Sequence, residues 1–275
     1  MDIKNLATRT VSGVIYVALI VLAILWGQYG VLLLTTLFSL LAVVEFYKMT
    51  RHPESVDFAK SRPALILDVA GTFALCWGAW IYPLVIFPFI LLARLALELY
   101  LKSEHPLKNV AESVFAMIYI GLPFGFMNFM ASWYSAMPLL AMFFLIWIND
   151  TGAFLVGSTI GRHRLFERIS PKKSWEGFFG GLAFVVLASV LFGLLCPGFC
   201  SLPWLHVWEW VILGVLVTAF STWGDLFESL CKRNLHIKDS GNIIPGHGGI
   251  LDRVDSLLFV APVFVIFTLM IYILF

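Results

Sequence analysis

Charged side chains are scarce in this sequence. Asp, Glu, Lys and Arg make up 13% of its 275 residues, about half the share usual in soluble domains. With 60% hydrophobic residues and a mean hydropathy of +0.92, that scarcity excludes a water-soluble domain and describes an integral membrane protein. Cysteine is scarce as well: the four residues are scattered, which excludes a disulfide-dense scaffold. Cys196 and Cys200 share a loop, but their spacing lacks histidine partners and is a poor metal signal. No apolar run alternates with the period of barrel strands, no self-similarity recurs at roughly 20 to 50 residues, and no low-complexity linker divides the chain.

What the chain does have is long apolar runs. About nine of them reach the ~17–25 residues that cross a hydrocarbon core as a helix: 11–27, 30–49, 64–81, 83–101, 110–132, 137–160, 175–196, 206–231 and 254–275. A spanning segment must satisfy its own backbone hydrogen bonds, so all are expected to be helices. The expectation is an all-α, polytopic protein with about nine transmembrane helices in one membrane domain, 1–275. Residues 1–136 supply N-terminal helices, and 137–275 supply helices and loops rich in chemistry. The basic start before the first run resembles a signal peptide, but no small-x-small site follows Trp26, so that run is expected to remain.

Basic residues give the orientation. Of the 18 Lys and Arg, all but Arg94 fall before the first span or in and around the 2–3, 4–5, 6–7 and 8–9 loops; the opposite loops hold none. The positive-inside rule then puts the N-terminus and these loops in the cytosol, in an inner, cytoplasmic membrane. The asymmetry fits topology and contact with anionic membrane lipids, and no nucleic-acid partner is expected. Arg94 lies one helical turn before Glu98, close enough to pair with it. Glu45, one turn before Lys48, reads as a helix-end pair, and Asp68, Glu98 and Glu112 as structural acids.

Two acids stand out inside spans. Asp150 lies in "LIWINDTGAFLVGSTIG" and Asp225 in "TAFSTWGDLFESLCKR". A carboxylate at bilayer depth costs about 2.5–3.5 kcal/mol on insertion scales, so it normally faces a cavity, a partner or an ion. Ser221, Asp225, Glu228, Ser229 and Lys232 recur at helical spacing and share one face. Asp150 is followed by Gly152, Ala153, Gly157, Ser158 and Gly161, small residues that let neighbouring backbones approach. The alternative for each acid is a structural hydrogen bond or an interhelical ion pair.

The loops after these spans carry complementary groups. In "RHRLFERISPKKSWEGFFGG", Ser170-Pro171 reads as a helix start with Lys172 and Lys173 in its first turn, an arrangement that binds phosphate. In "KDSGNIIPGHGGILDRVDS", glycines allow the backbone to present N–H groups to an anion, and Asp252 and Asp255 flank Arg253. Carboxylates among cations suit Mg²⁺, which takes one or two of them and lets phosphates supply much of the rest. His247 is as consistent with a hinge hydrogen bond as with catalysis.

The stretch "SLCKRNLHIKDSGNIIPGHGGILDRVDS" resembles the signature of the phosphatidate cytidylyltransferases, or CDP-diacylglycerol synthases. Ser229, Lys232, Arg233, Lys238, Asp239, Gly241, Pro245, His247, Gly248, Gly249, Asp252, Arg253 and Asp255 fill its places in register. A second family element, Ser-Pro-Lys-Lys-Thr-Trp-Glu-Gly, matches Ser170 to Gly177 with Ser174 in the threonine place, and Cys231 replaces a larger apolar residue. The resemblance implies that CTP and phosphatidate give CDP-diacylglycerol and pyrophosphate with Mg²⁺, at one ion or a two-ion centre. It implies a catalytic set of Asp225, Lys238, Asp239, His247, Asp252, Arg253 and Asp255, with Asp225 and Asp252 on the metal. Asp150, Ser170, Lys172, Lys173, Trp175 and Glu176 would meet the nucleotide, Arg253 its triphosphate, and Lys232 and Arg233, with Lys238, the lipid phosphate.

Three other readings stay open at this point. A relative acting on another lipid phosphate would share these motifs. An intramembrane aspartyl protease would use Asp150 and Asp225, but Thr222-Trp223-Gly224-Asp225 lacks that class's Gly-x-Gly-Asp turn. An ion-coupled transporter would explain buried acids but should show repeat symmetry. Small-residue faces permit a homodimer or intrachain packing equally.

Overall fold

The computed structural model describes residues 3–50, 62–78, 81–101, 103–195, 202–241, 243 and 248–274. Its helices are α1 (Ile3–Leu25), α2 (Gln28–Met49), α3 (Arg62–Cys76), α4 (Ile81–Leu101), α5 (Pro106–Ala116), α6 (Leu122–Trp133), α7 (Met137–Ile160), α8 (Trp175–Leu195), α9 (Val207–Asn234) and α10 (Leu251–Leu274). Strands β1 (Arg164–Phe166) and β2 (Ser170–Ser174) form an antiparallel hairpin between α7 and α8. Among the described residues the architecture is all-α apart from that hairpin.

Among the described residues seven helical segments are long and apolar enough to cross a membrane: Gln28–Met49, Leu84–Leu101, Pro106–Trp133, Met137–Ile160, Trp175–Leu195, Val207–Asn234 and Leu251–Ile273. The other two expected spans are also helical but shorter, with Thr10–Leu25 the apolar part of α1 and α3 only 15 residues long. At 1.5 Å per residue α3 covers roughly 22 Å, short of a ~30 Å hydrocarbon core. Within Pro106–Trp133, one π turn at Met117–Gly121 joins α5 to α6. Pro123 follows it at the start of α6; proline has no N–H to give to the preceding turn, and a wider turn absorbs that loss.

The chain divides into two compact units. One comprises Met1–Tyr134 with Asn234–Val254, the other Ser135–Arg233 with Asp255–Phe275. In the first, Asn128 ties α6 to its neighbours: its amide donates to the Cys76 carbonyl at 2.7 Å, and its Oδ1 accepts from the Thr35 hydroxyl at 3.0 Å. Arg94 is wholly buried and takes the partner expected of it, donating from Nη1 to Glu98 Oε2 at 2.8 Å. Its Nε donates to Ser113 Oγ at 2.8 Å, and the Ser113 hydroxyl donates to Asp68 Oδ1 at 2.7 Å. Asn109 completes the group with a 2.8 Å bond to Glu98. Asp68 and Glu98 are thus partners of a buried cation. Glu112 pairs with exposed Lys108 at 3.9 Å.

In the second unit α7 and α8 cross at small residues, as the pattern after Asp150 predicts. A Cβ on Gly177 would lie 2.9 Å from the Ala153 carbonyl oxygen, and one on Gly157 would lie 3.4 Å from Gly177 Cα. α9 meets α10 just as closely. A Cβ on Gly224 would fall 2.5 Å from the Asp255 carbonyl oxygen, and the Ser256 hydroxyl donates to the Ser221 carbonyl at 3.1 Å.

Two local expectations are corrected. Ser170-Pro171 does not start a helix; Ser170 to Ser174 are a strand, and α8 begins at Trp175. The residue before a proline is driven to extended backbone. The first available cap is Ser174, whose Oγ accepts the Gly177 N–H at 3.2 Å. Glu45 is also not a helix-end partner of Lys48. It is 2% exposed, and its Oε2 accepts the Leu251 N–H at 2.9 Å while Lys48 points outward. That donor is a first-turn N–H of α10, which needs an acceptor that Ile250 cannot provide.

Candidate active site

In the second unit the middle of α9 carries the face drawn from its spacing. Asp225 is half-buried, and its Oδ2 meets Lys173 Nζ at 2.7 Å, so β2 and α9 join through an ion pair. Ser229, one turn on, donates to Asp225 Oδ1 at 3.3 Å. The next turn buries Glu228 against Lys232 at 2.5 Å. Asp255, brought to α9 by the close approach at Gly224, lies near enough to Asp225, Glu228 and Asp150 for their charges to interact. Asp150 itself is exposed on α7, and its neighbour Asn149 donates weakly to it and to Ser221 Oγ, each at 3.4 Å. Asp150, Asp225, Glu228 and Asp255 are therefore one carboxylate neighbourhood, with Lys173 and Lys232 as its paired cations.

The hairpin is anchored by Glu176. Its carboxylate accepts the backbone N–H of Arg162 at 3.1 Å and of His163 at 3.1 Å, and meets His163 Nδ1 at 2.5 Å. Lys172 is exposed on the same strand as half-buried Lys173. The β1–β2 pairing is irregular, with the five residues Ser170–Ser174 set against the three of Arg164–Phe166; Pro171 has no N–H for the ladder. Trp175 is 47% exposed and stacks on Phe179 with centroids 6.0 Å apart. Arg233 is exposed, and its Nε donates to the Ile169 carbonyl at 3.4 Å, bracing the hairpin turn from α9.

The glycine loop is built around carboxylates of the first unit. Asp252, second residue of α10, accepts on Oδ2 the Ser240 N–H, the Ser240 hydroxyl and the Gly249 N–H, each at 2.9 Å. Gly248 has φ +85°, open to glycine at little cost. A Cβ on Gly241 would sit 2.5 Å from Glu45 Oε1, and one on Gly249 2.5 Å from Glu45 Oε2. The loop's N–H groups do face anions, but the anions seen are the chain's own. Lys238, Asp239 and Arg253 are exposed around it, and the Arg253 carbonyl accepts the Tyr16 hydroxyl at 3.0 Å. Pro245, Gly246 and His247 lie outside the described residues, as do Cys196 and Cys200.

Among the described residues no three His, Cys, Asp or Glu side chains form a ready metal cage. Mg²⁺ bound chiefly by phosphate oxygens and water needs only one or two carboxylates. The like-charged group at Asp225 and Asp255 is the kind of place where a divalent cation relieves repulsion. Sequence reasoning missed Glu45, Ser240 and Asn149. The one signal for Glu45 was an acid near the end of an apolar helix, which a lysine one turn away explained too easily.

Acids that suit a cation stand here beside a lysine that suits phosphate, in a chain with helices long and apolar enough to cross a membrane. The sequence model described as the cytidylyltransferase family matches residues 7–271, and the chain belongs to that family. A phosphatidate cytidylyltransferase of Staphylococcus epidermidis is 33% identical over 261 residues, covering 92% of this chain and 95% of the relative. Proteins of the same name from Staphylococcus haemolyticus and Staphylococcus aureus are 34% and 33% identical over the same shares.

Proposed function

We propose that this chain transfers a cytidylyl group from CTP to phosphatidate at the cytosolic face of the cytoplasmic membrane, giving CDP-diacylglycerol and pyrophosphate for phospholipid synthesis. The observation that carries the reading is the 2.7 Å contact between Lys173 and Asp225. It sets a phosphate-binding cation from the Ser-Pro-Lys-Lys strand against a carboxylate suited to a metal. The relatives named for this activity cover nearly the whole chain, which leaves the protease and transporter readings without support.

In this mechanism a phosphatidate oxygen forms a bond to the α-phosphorus of CTP as the bond from that phosphorus to the bridging oxygen of the pyrophosphate breaks. The attacking phosphate monoester is already largely ionised near pH 7, so no strong general base is needed. The protein's task is positioning and charge compensation. Lys172, Lys173 and Arg253 hold the triphosphate, with Trp175 and Asp150 beside the nucleotide. Arg233 and Lys238, both exposed, hold the lipid phosphate, while buried Lys232 compensates Glu228. Asp225 and Asp252 would hold Mg²⁺, which when bound neutralises phosphate charge and polarises the reacting phosphorus. Asp239 and Asp255 shape the charge around them.

Purified protein with phosphatidate, Mg²⁺ and labelled CTP should place label in the lipid phase, and labelled ATP, GTP or UTP should not. No lipid label from CTP, or equal label from all four, would sink the proposal. Replacing phosphatidate by another lipid phosphate tests the substrate separately.

A further inference from the structure

We infer that Glu45 is a positioning residue that closes the glycine loop on α2 and so sets the carboxylate of Asp252. Two acids from distant parts of the chain stitch the same loop ends. Glu45 Oε2 takes the Leu251 N–H at 2.9 Å and the Ser240 hydroxyl at 3.3 Å; Asp252 Oδ2 takes the Ser240 N–H, the same hydroxyl and the Gly249 N–H. A hydroxyl has one proton, so Ser240 is shared between the two carboxylates and couples their positions. The glycines are fitted to Glu45: a Cβ at Gly241 or Gly249 would come within 2.6 Å of its carboxylate oxygens. Glu45 Oε1 is buried with no hydrogen-bond partner among the described residues. A buried acid with an unsatisfied oxygen is an expensive way to cap a helix, which points to placement of Asp252 rather than to stability. The link to turnover rests on the proposed role of Asp252; the loop geometry does not.

The test compares wild type, Glu45→Ala, Glu45→Gln and Ser240→Ala by amide hydrogen exchange and by initial rates. In Glu45→Ala, peptides spanning 238–254 should exchange about tenfold faster while α3 and α4 peptides keep their wild-type rates. Its kcat should fall about tenfold or more with the KM for phosphatidate within about twofold. Glu45→Gln keeps an acceptor at the same reach and should restore both readings. Wild-type exchange and turnover in Glu45→Ala would overturn the inference, as would a Glu45→Gln as impaired as Glu45→Ala. If Glu45→Ala does not fold, Ser240→Ala decides, and unchanged loop exchange there rejects the coupling. A wild-type protein that makes no lipid product rejects the proposed function alone, since the exchange measurements still report on the loop.

Discussion

Lys173 Nζ stands 2.7 Å from Asp225 Oδ2, linking the strand before α8 to the middle of α9. Both side chains keep partial exposure, 26% for the lysine and 39% for the aspartate. A pair open to solvent contributes little to stability, and each member remains available to exchange its partner for a ligand of the same sign. A triphosphate can replace the carboxylate at Lys173, and a cation can replace the ammonium at Asp225.

Lys173→Ala is accordingly expected to raise the KM for CTP by about tenfold or more and the KM for phosphatidate by less than about threefold. Initial rates with each substrate varied in turn check this. An equal rise in both would place Lys173 outside the nucleotide site.

Asp252→Asn separates charge from shape. A neutral oxygen accepts the three donors of Ser240 and Gly249 more weakly, so stability should fall by about 1–3 kcal/mol. Turnover should fall far more, by about 100-fold, if Asp252 has its proposed role, because a metal-holding charge beside the reacting phosphates is lost. Thermal unfolding in detergent and the lipid-label assay measure the two effects. Wild-type turnover would contradict the metal role of Asp252.

Gly224→Ala tests the contact between α9 and α10. Its Cβ would fall 2.5 Å from the Asp255 carbonyl oxygen, and backbone cannot yield as a flexible side chain can. A loss of about 1–3 kcal/mol is expected, together with lower turnover, because the shift displaces Asp255 from Asp225. Ala at Gly27 makes no contact within 4 Å and is strained only by its positive φ of 85°. That variant should lose about 1 kcal/mol and keep its activity.

Arg94→Leu should cost about 3–5 kcal/mol, since it leaves Asp68 and Glu98 buried without their cation. The KM for CTP in the surviving folded fraction should stay at the wild-type value. A KM shift there would give the Arg94 group a part in nucleotide binding.

The apolar runs, the helical face of Asp225 and the small-residue stripe after Asp150 were readable in advance because each depends on neighbours within a few turns. Ser170-Pro171 was misread because a proline suits a helix start and a strand end alike. What settles the choice is the cap: Ser174 takes the Gly177 N–H while Glu176 is drawn back to Arg162 and His163. Glu45 was misread for a related reason. Lys48 is its neighbour in sequence, whereas Leu251, 206 residues away, is its neighbour in space.

Composition alone places this chain in a bilayer, since transfer from water sums over side chains whatever their order in space, and the spacing of a dozen polar residues suffices to mark its family. The partner each acid finds is another matter. It depends on which helices meet and how closely their backbones approach, as at Gly224 and Gly177, and a carboxylate in a low-dielectric interior binds whichever donor folding brings to it. Only folding could therefore give Lys173 to Asp225, Ser240 to Asp252 and Leu251 to Glu45.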